Sequence, residues 1–299
     1  MKEALFMIEH ITSFLFAATN GLMWGALIAL IACGLSIVFT FLSIINLAHG
    51  DFYMLGAVIA FYVITITHSF WIALVVAPTI VGCLAIVFFW FFLRNQNGQT
   101  NKYLLATFGL SLILQNLVLL IFGGYPVKID SPITYTITLF GNTYPVYRLF
   151  VAFFSITIFT LYLLFIEKTK FGLWLRATGA NFALATALGI PTKLVYSLAF
   201  GLGGFFAGLA GVLVSPIISI EYRMGNDVLL LAFIVTILGG FGNVRGTFIA
   251  SLLYGTIEGI LIAATSPLIA RTTLIGLCCI FILVKKTGFS PIAKINSRV

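Results

Sequence analysis

Between two long apolar runs, the sequence reads NLAHGDFYML at positions 46–55. Four hydrogen-bonding side chains lie in this segment, those of Asn46, His49, Asp51 and Tyr53. The apolar runs on either side are long enough to cross a bilayer. An Asp at the centre of a membrane helix costs about 2.5–3.5 kcal/mol on insertion scales, so ionisable groups at that depth usually face a bundle interior or a water-filled path. We therefore predict that these residues belong to the path of a membrane transport protein.

The composition is that of a chain embedded in a membrane. Of the 299 residues, 61% are hydrophobic and 8% are charged, whereas an average soluble domain has about 25% charged residues. The mean hydropathy is +1.16. These values predict an all-α, polytopic membrane protein. The net charge of +8 lies mostly in short connections between apolar runs, where the positive-inside rule explains it without a nucleic acid partner.

The apolar runs predict about eight to nine helical membrane segments, some of them broken or re-entrant. The first, 11–42, fits either one long span or two short ones; the others are 54–67, 70–93, 103–123, 149–166, 195–218, 228–243, 247–265 and 269–284. Two of these, 54–67 and 228–243, are shorter than the roughly 20 residues of a simple span. Each adjoins a polar turn that contains glycine, a pattern typical of broken helices that line a path. Glu221 and Asp227, in the second of these turns, therefore join the candidate path residues.

The basic residues predict the orientation. The connection 167–194 contains four Lys or Arg residues and one acid, and the tail after Val284 contains four and none. Both are therefore placed in the cytoplasm, together with the turn between Arg94 and Lys102. The connection 124–148 is one span away from each cytoplasmic neighbour and is predicted to be external. Its repeated Pro, Thr and Tyr residues predict an extended or hairpin-like cap.

A short helix outside the membrane is predicted within 167–194. Ala and Leu residues favour helix from Leu175 to Leu188, Gly189 is placed to end it, and Pro191 prevents its continuation. This helix is too short to cross hydrocarbon. Its apolar side chains need cover, which either a groove of a partner protein or the lipid headgroups would supply.

Three motifs in order resemble the permeases of bacterial ATP-binding cassette importers for branched-chain amino acids: Ile45 to Ala57, Arg176 to Ile190, and Leu238 to Gly246. The resemblance extends from about Gly21 to Glu258, and the related permeases of urea importers share the pattern. There are two departures. Asp51 stands where these permeases more often have Glu, and Arg245-Gly246-Thr247 replaces a smaller or proline-containing sequence.

The resemblance implies a permease subunit that forms half of a translocation path for leucine, isoleucine and valine, or a related amino acid, by alternating access. It implies three protein partners: cytoplasmic ATP-binding subunits, a second permease that is a paralogue, and an extracytoplasmic solute-binding protein. It also implies that the chain is embedded in the lipid of the bacterial inner membrane. The whole chain, 1–299, would be one transmembrane permease domain, and 167–194 would be its cytoplasmic coupling loop. The implied contacts with the ATPase are Arg176, Asn181, Phe182, Ala183, Leu184, Leu188 and Gly189.

No covalent chemistry is predicted for this chain. The segment Gly239 to Gly246 lacks the Gly-Lys-Ser/Thr ending of a P-loop, so ATP hydrolysis is expected in a separate subunit. His49 and Asp51 have too few neighbouring ligands for a metal site, and no cofactor is expected. An intramembrane enzyme would need a Ser-His or carboxylate pair placed for chemistry. The rival interpretation is a stand-alone secondary transporter or channel, which would run on an ion gradient without a docking loop.

Several side chains have two interpretations at this level. Asn46 and Asp51 suit capping of a broken helix as well as contact with solute. Glu258 and Arg271 would either pair, or Arg271 would reach to an interface. The glycines between Gly201 and Gly211 favour tight packing within one subunit over a seam between subunits. The cysteines are predicted to be small core residues; they are Cys33, Cys83, Cys278 and Cys279.

Overall fold

The protein is described by a computed structural model that covers residues 2–42, 44–94, 100–240 and 243–284. Its helices are α1 (Lys2–Leu42), α2 (His49–Thr67), α3 (Phe70–Phe88, followed by a π-helical turn at Phe89–Leu93), α4 (Thr100–Phe122), α5 (Val146–Lys168), α6 (Lys170–Ala180), α7 (Phe182–Ala187), α8 (Thr192–Val214), α9 (Met224–Gly239), α10 (Val244–Ala264) and α11 (Pro267–Val284). Strands β1 (Thr136–Leu139) and β2 (Asn142–Pro145) form an antiparallel hairpin between α4 and α5. The predicted turn at 95–99 and the basic tail after Val284 lie outside the described residues.

The helices confirm an all-α polytopic membrane protein. Among the described residues, seven helices are long and apolar enough to cross a membrane, and α9 and α11 supply shorter apolar helices. The run 11–42 forms one helix, since α1 continues without a break to Leu42. The boundary predicted for 54–67 was wrong: α2 begins at His49, because His49 to Asp51 form its first turn instead of a turn before it. The hairpin predicted within 124–148 is confirmed.

Contacts distinguish the two ends of the bundle. At one end, Glu167 at the close of α5 forms an ion pair with Arg245 at the start of α10. Because α6 and α7 follow α5 directly, we call this the loop end. At the opposite end, Val127, ahead of the β-hairpin, forms an isolated antiparallel bridge with Ile220, which follows α8. We call this the hairpin end.

Helix α8 forms the centre of the bundle, and its glycines allow neighbouring backbones to approach closely. A Cβ atom on Gly56 of α2 would lie 2.1 Å from the carbonyl oxygen of Gly208. A Cβ atom on Gly211 would lie 2.0 Å from the carbonyl oxygen of Tyr53. The glycine-rich face of α8 therefore packs inside this chain, as predicted.

The cysteines only partly follow their prediction. Cys33 and Cys278 are buried, whereas Cys83 and Cys279 are exposed. The prediction of core residues was wrong for the latter two, because an apolar run does not reveal which face of a spanning helix meets lipid. For a small thiol, lipid is as suitable a neighbour as a protein core.

Candidate translocation site

Helix α2 begins beside Ile31 of α1, about three turns before α1 ends at Leu42. The Nε2 atom of His49 lies 2.9 Å from the carbonyl oxygen of Ile31, which stands about 16 Å along the axis from Leu42 at about 1.5 Å per residue. The chain returns to this depth through the segment 44–48, which has no helical structure and ends in a turn at Leu47 and Ala48. Thr107 of α4 holds this segment, since its Oγ1 atom lies 3.3 Å from both Leu47 N and Ile45 O. The start of α2 is therefore a re-entrant feature.

The first turns of α2 and α9 touch through glycine. A Cβ atom on Gly50 would lie 2.2 Å from the carbonyl oxygen of Gly225, and one on Gly225 would lie 2.3 Å from the carbonyl oxygen of Gly50. Helix N-termini carry unpaired N–H groups and a partial positive charge. Two such ends consequently converge at one place in the bundle.

A glutamine on α4 connects these two helix starts. The Nε2 atom of Gln115 lies 3.0 Å from Asp51 Oδ1, 3.1 Å from Asn226 Oδ1 and 3.1 Å from Ser111 Oγ. Its two protons are shared among these acceptors. Asp51 is 2% exposed, so this amide is a principal partner of a buried carboxylate. Three helices are thus joined by one side chain.

A cavity of about 670 Å³ lies at the hairpin end. Its position follows from Pro126 and Ser219 in its wall, which adjoin the bridge between Val127 and Ile220. Most of the wall is apolar and includes Phe16, Trp24, Leu27, Ile28, Ile31, Ile218, Val228, Leu231 and Ile262. The ionisable side chains in the wall are Glu221, Asp227, Glu258 and Arg271. The cavity therefore combines an aliphatic and aromatic surface with charges of both signs.

The predicted path residues divide into two groups. Tyr53, Glu221 and Asp227 line the cavity. Asn46, His49 and Asp51 do not line it; they are 1%, 0% and 2% exposed. They lie behind it and shape the start of α2.

Local contacts explain what these buried residues do. Asn46 Oδ1 accepts a hydrogen bond of 3.1 Å from the backbone N–H of Ala48, the residue that precedes α2. This bond forms a turn ahead of the helix without capping its first turn. One ring nitrogen of His49 faces Ile31 O, and the other has no hydrogen-bond partner among the described residues.

Glu258 and Arg271 form an ion pair across the turn between α10 and α11. Arg271 Nε donates to Glu258 Oε1 at 3.1 Å, and the side chains are 49% and 8% exposed, respectively. This contact decides between the two interpretations of the sequence in favour of pairing. Both residues also line the cavity, a placement that the sequence did not predict.

The loop 167–194 contains two helices, not one. The predicted helix from Leu175 to Leu188 is broken at Asn181, whose backbone is extended and whose Oδ1 accepts from Leu184 N at 2.9 Å, capping α7. The prediction was wrong here because Asn is a better N-cap than an interior helix residue. Gly189 ends the loop helix as predicted, at a φ of +81°.

Helix α6 is anchored to the bundle, and α7 carries exposed apolar side chains at the loop end. Arg176 donates to the carbonyl oxygen of Ile166 at the end of α5, and Leu175 is fully buried. Beyond this anchor lie the remaining candidate contacts with an ATPase, and all of them are exposed: Asn181, Phe182, Ala183, Leu184, Leu188 and Gly189. Three of these are large apolar side chains, exposed by 43% at Phe182, 57% at Leu184 and 72% at Leu188.

Comparison with known proteins identifies the family. Residues 17–283 match the model described as branched-chain amino acid transport system / permease component. The chain belongs to this family. It is thus a membrane permease subunit of an ATP-binding cassette importer, and a permease of this kind is not itself catalytic.

Individual relatives agree with this assignment. The permease is 30% identical to the high-affinity branched-chain amino acid transport system permease protein LivH of Escherichia coli K12, over 94% of this chain and 97% of that protein. It is 25% identical to BraD of Pseudomonas aeruginosa over the same shares. A solved structure of PsaBC from Streptococcus pneumoniae in complex with Fab has 12% identity and a TM-score of 0.49, with 89% of both chains covered; this similarity is too low to carry an argument.

Sequence reasoning missed four residues of this permease site. Gln115 is a lone amide inside the apolar run 103–123, and Asn226 lies within the polar turn that supplied Glu221 and Asp227. Glu258 and Arg271 were noticed as ionisable groups in apolar helices but were given no place at a site. For Gln115, Glu258 and Arg271 the signal was a polar group within or beside an apolar run, which by default marks a functional site; for Asn226 it was membership of the polar turn.

Replacing Gln115 with leucine should lower both stability and transport of the permease. The change leaves the buried Asp51 carboxylate without its amide donor, a loss that typically costs about 1–3 kcal/mol. We expect a lower melting temperature of the detergent-solubilised protein and an uptake rate reduced by about tenfold, on the scale of about 1.4 kcal/mol per decade.

The matched control is Asn116→Leu, because Asn116 is exposed and donates only to Leu112 O of its own helix. This control should change neither property. Equal effects of the two substitutions would show that the bridge from Gln115 to α2 and α9 has no special role.

Proposed function

We propose that this permease forms half of a path that carries leucine, isoleucine and valine into a bacterial cell, driven by ATP hydrolysis in separate cytoplasmic subunits. The observation that supports it best is the placement of two surfaces at opposite ends of one bundle. A charged and aliphatic cavity lies at the hairpin end, and exposed apolar residues of α7 lie at the loop end. The relatives named above are branched-chain amino acid permeases.

The cavity suits an aliphatic amino acid. Its wall offers apolar contact from residues such as Leu27 and Leu231, and ionisable groups for an ammonium and a carboxylate. Ligand sites are commonly apolar pockets of about 300–1,000 Å³ with a few polar groups that fix orientation. We place the solute path along this cavity, past Tyr53, Glu221 and Asp227, with Asn46, His49 and Asp51 holding the start of α2.

The loop 167–194 is proposed as the contact with the ATP-binding subunit. Leu184 of α7 and Leu188, the residue that caps its C-terminus, are four residues apart, so they lie on the same side of this segment. Side chains this apolar and this exposed need cover, and a groove of a partner supplies it. Because α6 is fixed to the end of α5 through Arg176, a displacement of α7 would reach the bundle instead of being absorbed by the loop.

The remaining assignments follow from charge and from the paired arrangement of such importers. The excess of Lys and Arg places the loop end and the C-terminus in the cytoplasm. The hairpin end then faces outward, where an extracytoplasmic solute-binding protein delivers the amino acid. A second permease, proposed to be a paralogue, completes the path, and closure of the ATPases biases its two states.

Uptake by the complete importer tests this proposal. The permease, its partner permease and the ATP-binding subunits would be reconstituted in liposomes with the binding protein outside. We expect uptake of radiolabelled leucine that requires ATP and is inhibited by isoleucine and valine but not by urea. Inhibition by urea would show that the carried solute is urea or an amide and not a branched-chain amino acid. Uptake by the permease alone on an ion gradient would overturn the proposal in favour of a secondary transporter.

A further inference from the structure

The charges that line the cavity are unequal in number. Among the described residues of the wall, Arg271 is the one cationic side chain, and the carboxylates are Glu221, Asp227 and Glu258. The formal sum is −2, from one positive and three negative groups. A carboxylate that enters this cavity therefore has one favourable partner, whereas an ammonium group has several.

The geometry of Arg271 leaves it able to bind a second carboxylate. A guanidinium group has five N–H donors arranged in a planar fork. Arg271 uses Nε toward Glu258 at 3.1 Å, so its terminal nitrogens remain for another acceptor. Its side chain is 49% exposed, while that of Glu258 is 8% exposed. Glu258 thus holds the guanidinium through Nε, and Arg271 is one of the residues that line the cavity.

We propose that Arg271 is the carboxylate receptor of a subsite for zwitterionic aliphatic amino acids, with Asp227 and Glu221 on the side of the ammonium group. The apolar wall formed by residues such as Trp24 and Ile31 receives the hydrocarbon side chain. The subsite rests on the proposed function and adds to it the residues that recognise each end of the solute. A bidentate contact between arginine and a carboxylate consists of two charge-assisted hydrogen bonds, which are stronger than hydrogen bonds between neutral groups.

Three ligands of equal hydrocarbon length separate the contributions. Leucine carries both charges, 4-methylpentanoate lacks the ammonium group, and isopentylamine lacks the carboxylate. Binding to the purified importer in lipid nanodiscs, without the solute-binding protein, would be measured by saturation-transfer NMR. We expect leucine to bind tightest, isopentylamine about tenfold more weakly, and 4-methylpentanoate weakest, since about 1.4 kcal/mol corresponds to a decade in affinity.

Substitutions at the ion pair identify the receptor. Arg271→Gln should abolish the preference for leucine over isopentylamine and leave binding of isopentylamine in place. Because this variant leaves Glu258 buried and unpaired, the double variant Glu258→Gln/Arg271→Gln provides a neutral pair that folds without that penalty. It should show the same loss of preference. Lys128→Gln removes a positive charge outside the cavity wall and serves as the control.

Two outcomes would overturn the subsite. One is a double variant that keeps the wild-type preference for leucine, which would make Arg271 a structural partner of Glu258. The other is a wild-type importer that takes up leucine with ATP yet shows no contact with leucine in the nanodisc. Both are distinct from failure of the proposed function, which would appear as absence of ATP-dependent leucine uptake.

Discussion

Replacing Gly50 with valine should reduce ATP-dependent uptake to background. A Cβ atom at this position would lie 2.2 Å from the carbonyl oxygen of Gly225 and 3.0 Å from Leu229 Cβ, so the first turns of α2 and α9 must separate. Overpacking commonly costs about 1–3 kcal/mol, and a clash with backbone belongs at the upper end because backbone cannot rotate away. The same displacement removes Asp51 and Asn226 from the reach of Gln115. Uptake in proteoliposomes and the melting temperature of the purified permease would both be measured.

The matched control is Gly109→Val in α4, where a Cβ atom meets nothing within 4 Å. This substitution makes the same chemical change in a membrane helix, so it accounts for any general effect of a β-branched residue. We expect normal uptake and an unchanged melting temperature. Retention of both properties by Gly50→Val would show that the contact between the two helix starts yields easily and does not define the site.

The membrane helices of this chain could be predicted because each apolar run determines its own helix. Hydrocarbon cannot satisfy backbone N–H and C=O groups, so a long apolar run must form a helix there. The same local logic predicted the hairpin within 124–148 and the end of the loop helix at Gly189. Helix boundaries were predicted less accurately where a polar segment is itself part of a helix. The start of α2 at His49 is the clearest example.

The centre of the site could not be predicted because its contacts join distant parts of the chain. Gln115 binds Asp51 and Asn226, which are 64 and 111 residues away in sequence. No pattern within a single helix specifies such a bridge. The sequence identified Asp51 as unusual through its cost in hydrocarbon, but that cost is the same whether the carboxylate meets solute or an amide. Burial of Asn46, His49 and Asp51 behind the cavity is therefore information that only the packed helices supply.

The loop 167–194 shows the opposite situation: the sequence contained a local signal, Asn181 as an N-cap, but helix propensity outweighed it in the prediction. Asn181 stands between two Ala- and Leu-rich segments, and intrinsic propensity favours one continuous helix across it. The side chain of Asn181 instead accepts the N–H of Leu184, which stabilises a new helix start. The break at Asn181 separates α6 from α7, and the apolar residues Phe182, Leu184 and Leu188 beyond it are exposed.

The double substitution Leu184→Asp/Leu188→Asp should disconnect the permease from its ATP-binding subunits. Residues at the centre of an interface commonly contribute about 2 kcal/mol or more each, which at about 1.4 kcal/mol per decade is about thirtyfold in affinity per residue. Two buried, unpaired carboxylates would add a desolvation penalty. We expect loss of co-purifying ATPase and loss of uptake, with normal amounts of permease in the membrane, because both side chains are exposed in the isolated chain.

The matched control is Leu184→Met/Leu188→Met, which keeps apolar surface at both positions and should retain ATPase and uptake. A cysteine introduced by Ala183→Cys, with the exposed native Cys83 and Cys279 replaced by alanine, gives an independent check, since this exposed position on α7 should cross-link to the ATP-binding subunit and not to the second permease. If the aspartate variant still co-purifies with its ATPase, the apolar face of α7 rests on lipid headgroups and another part of the loop end transmits the work of ATP hydrolysis. The basic residues of the segment 167–194 would then be the next to test, beginning with Lys193 at the start of α8.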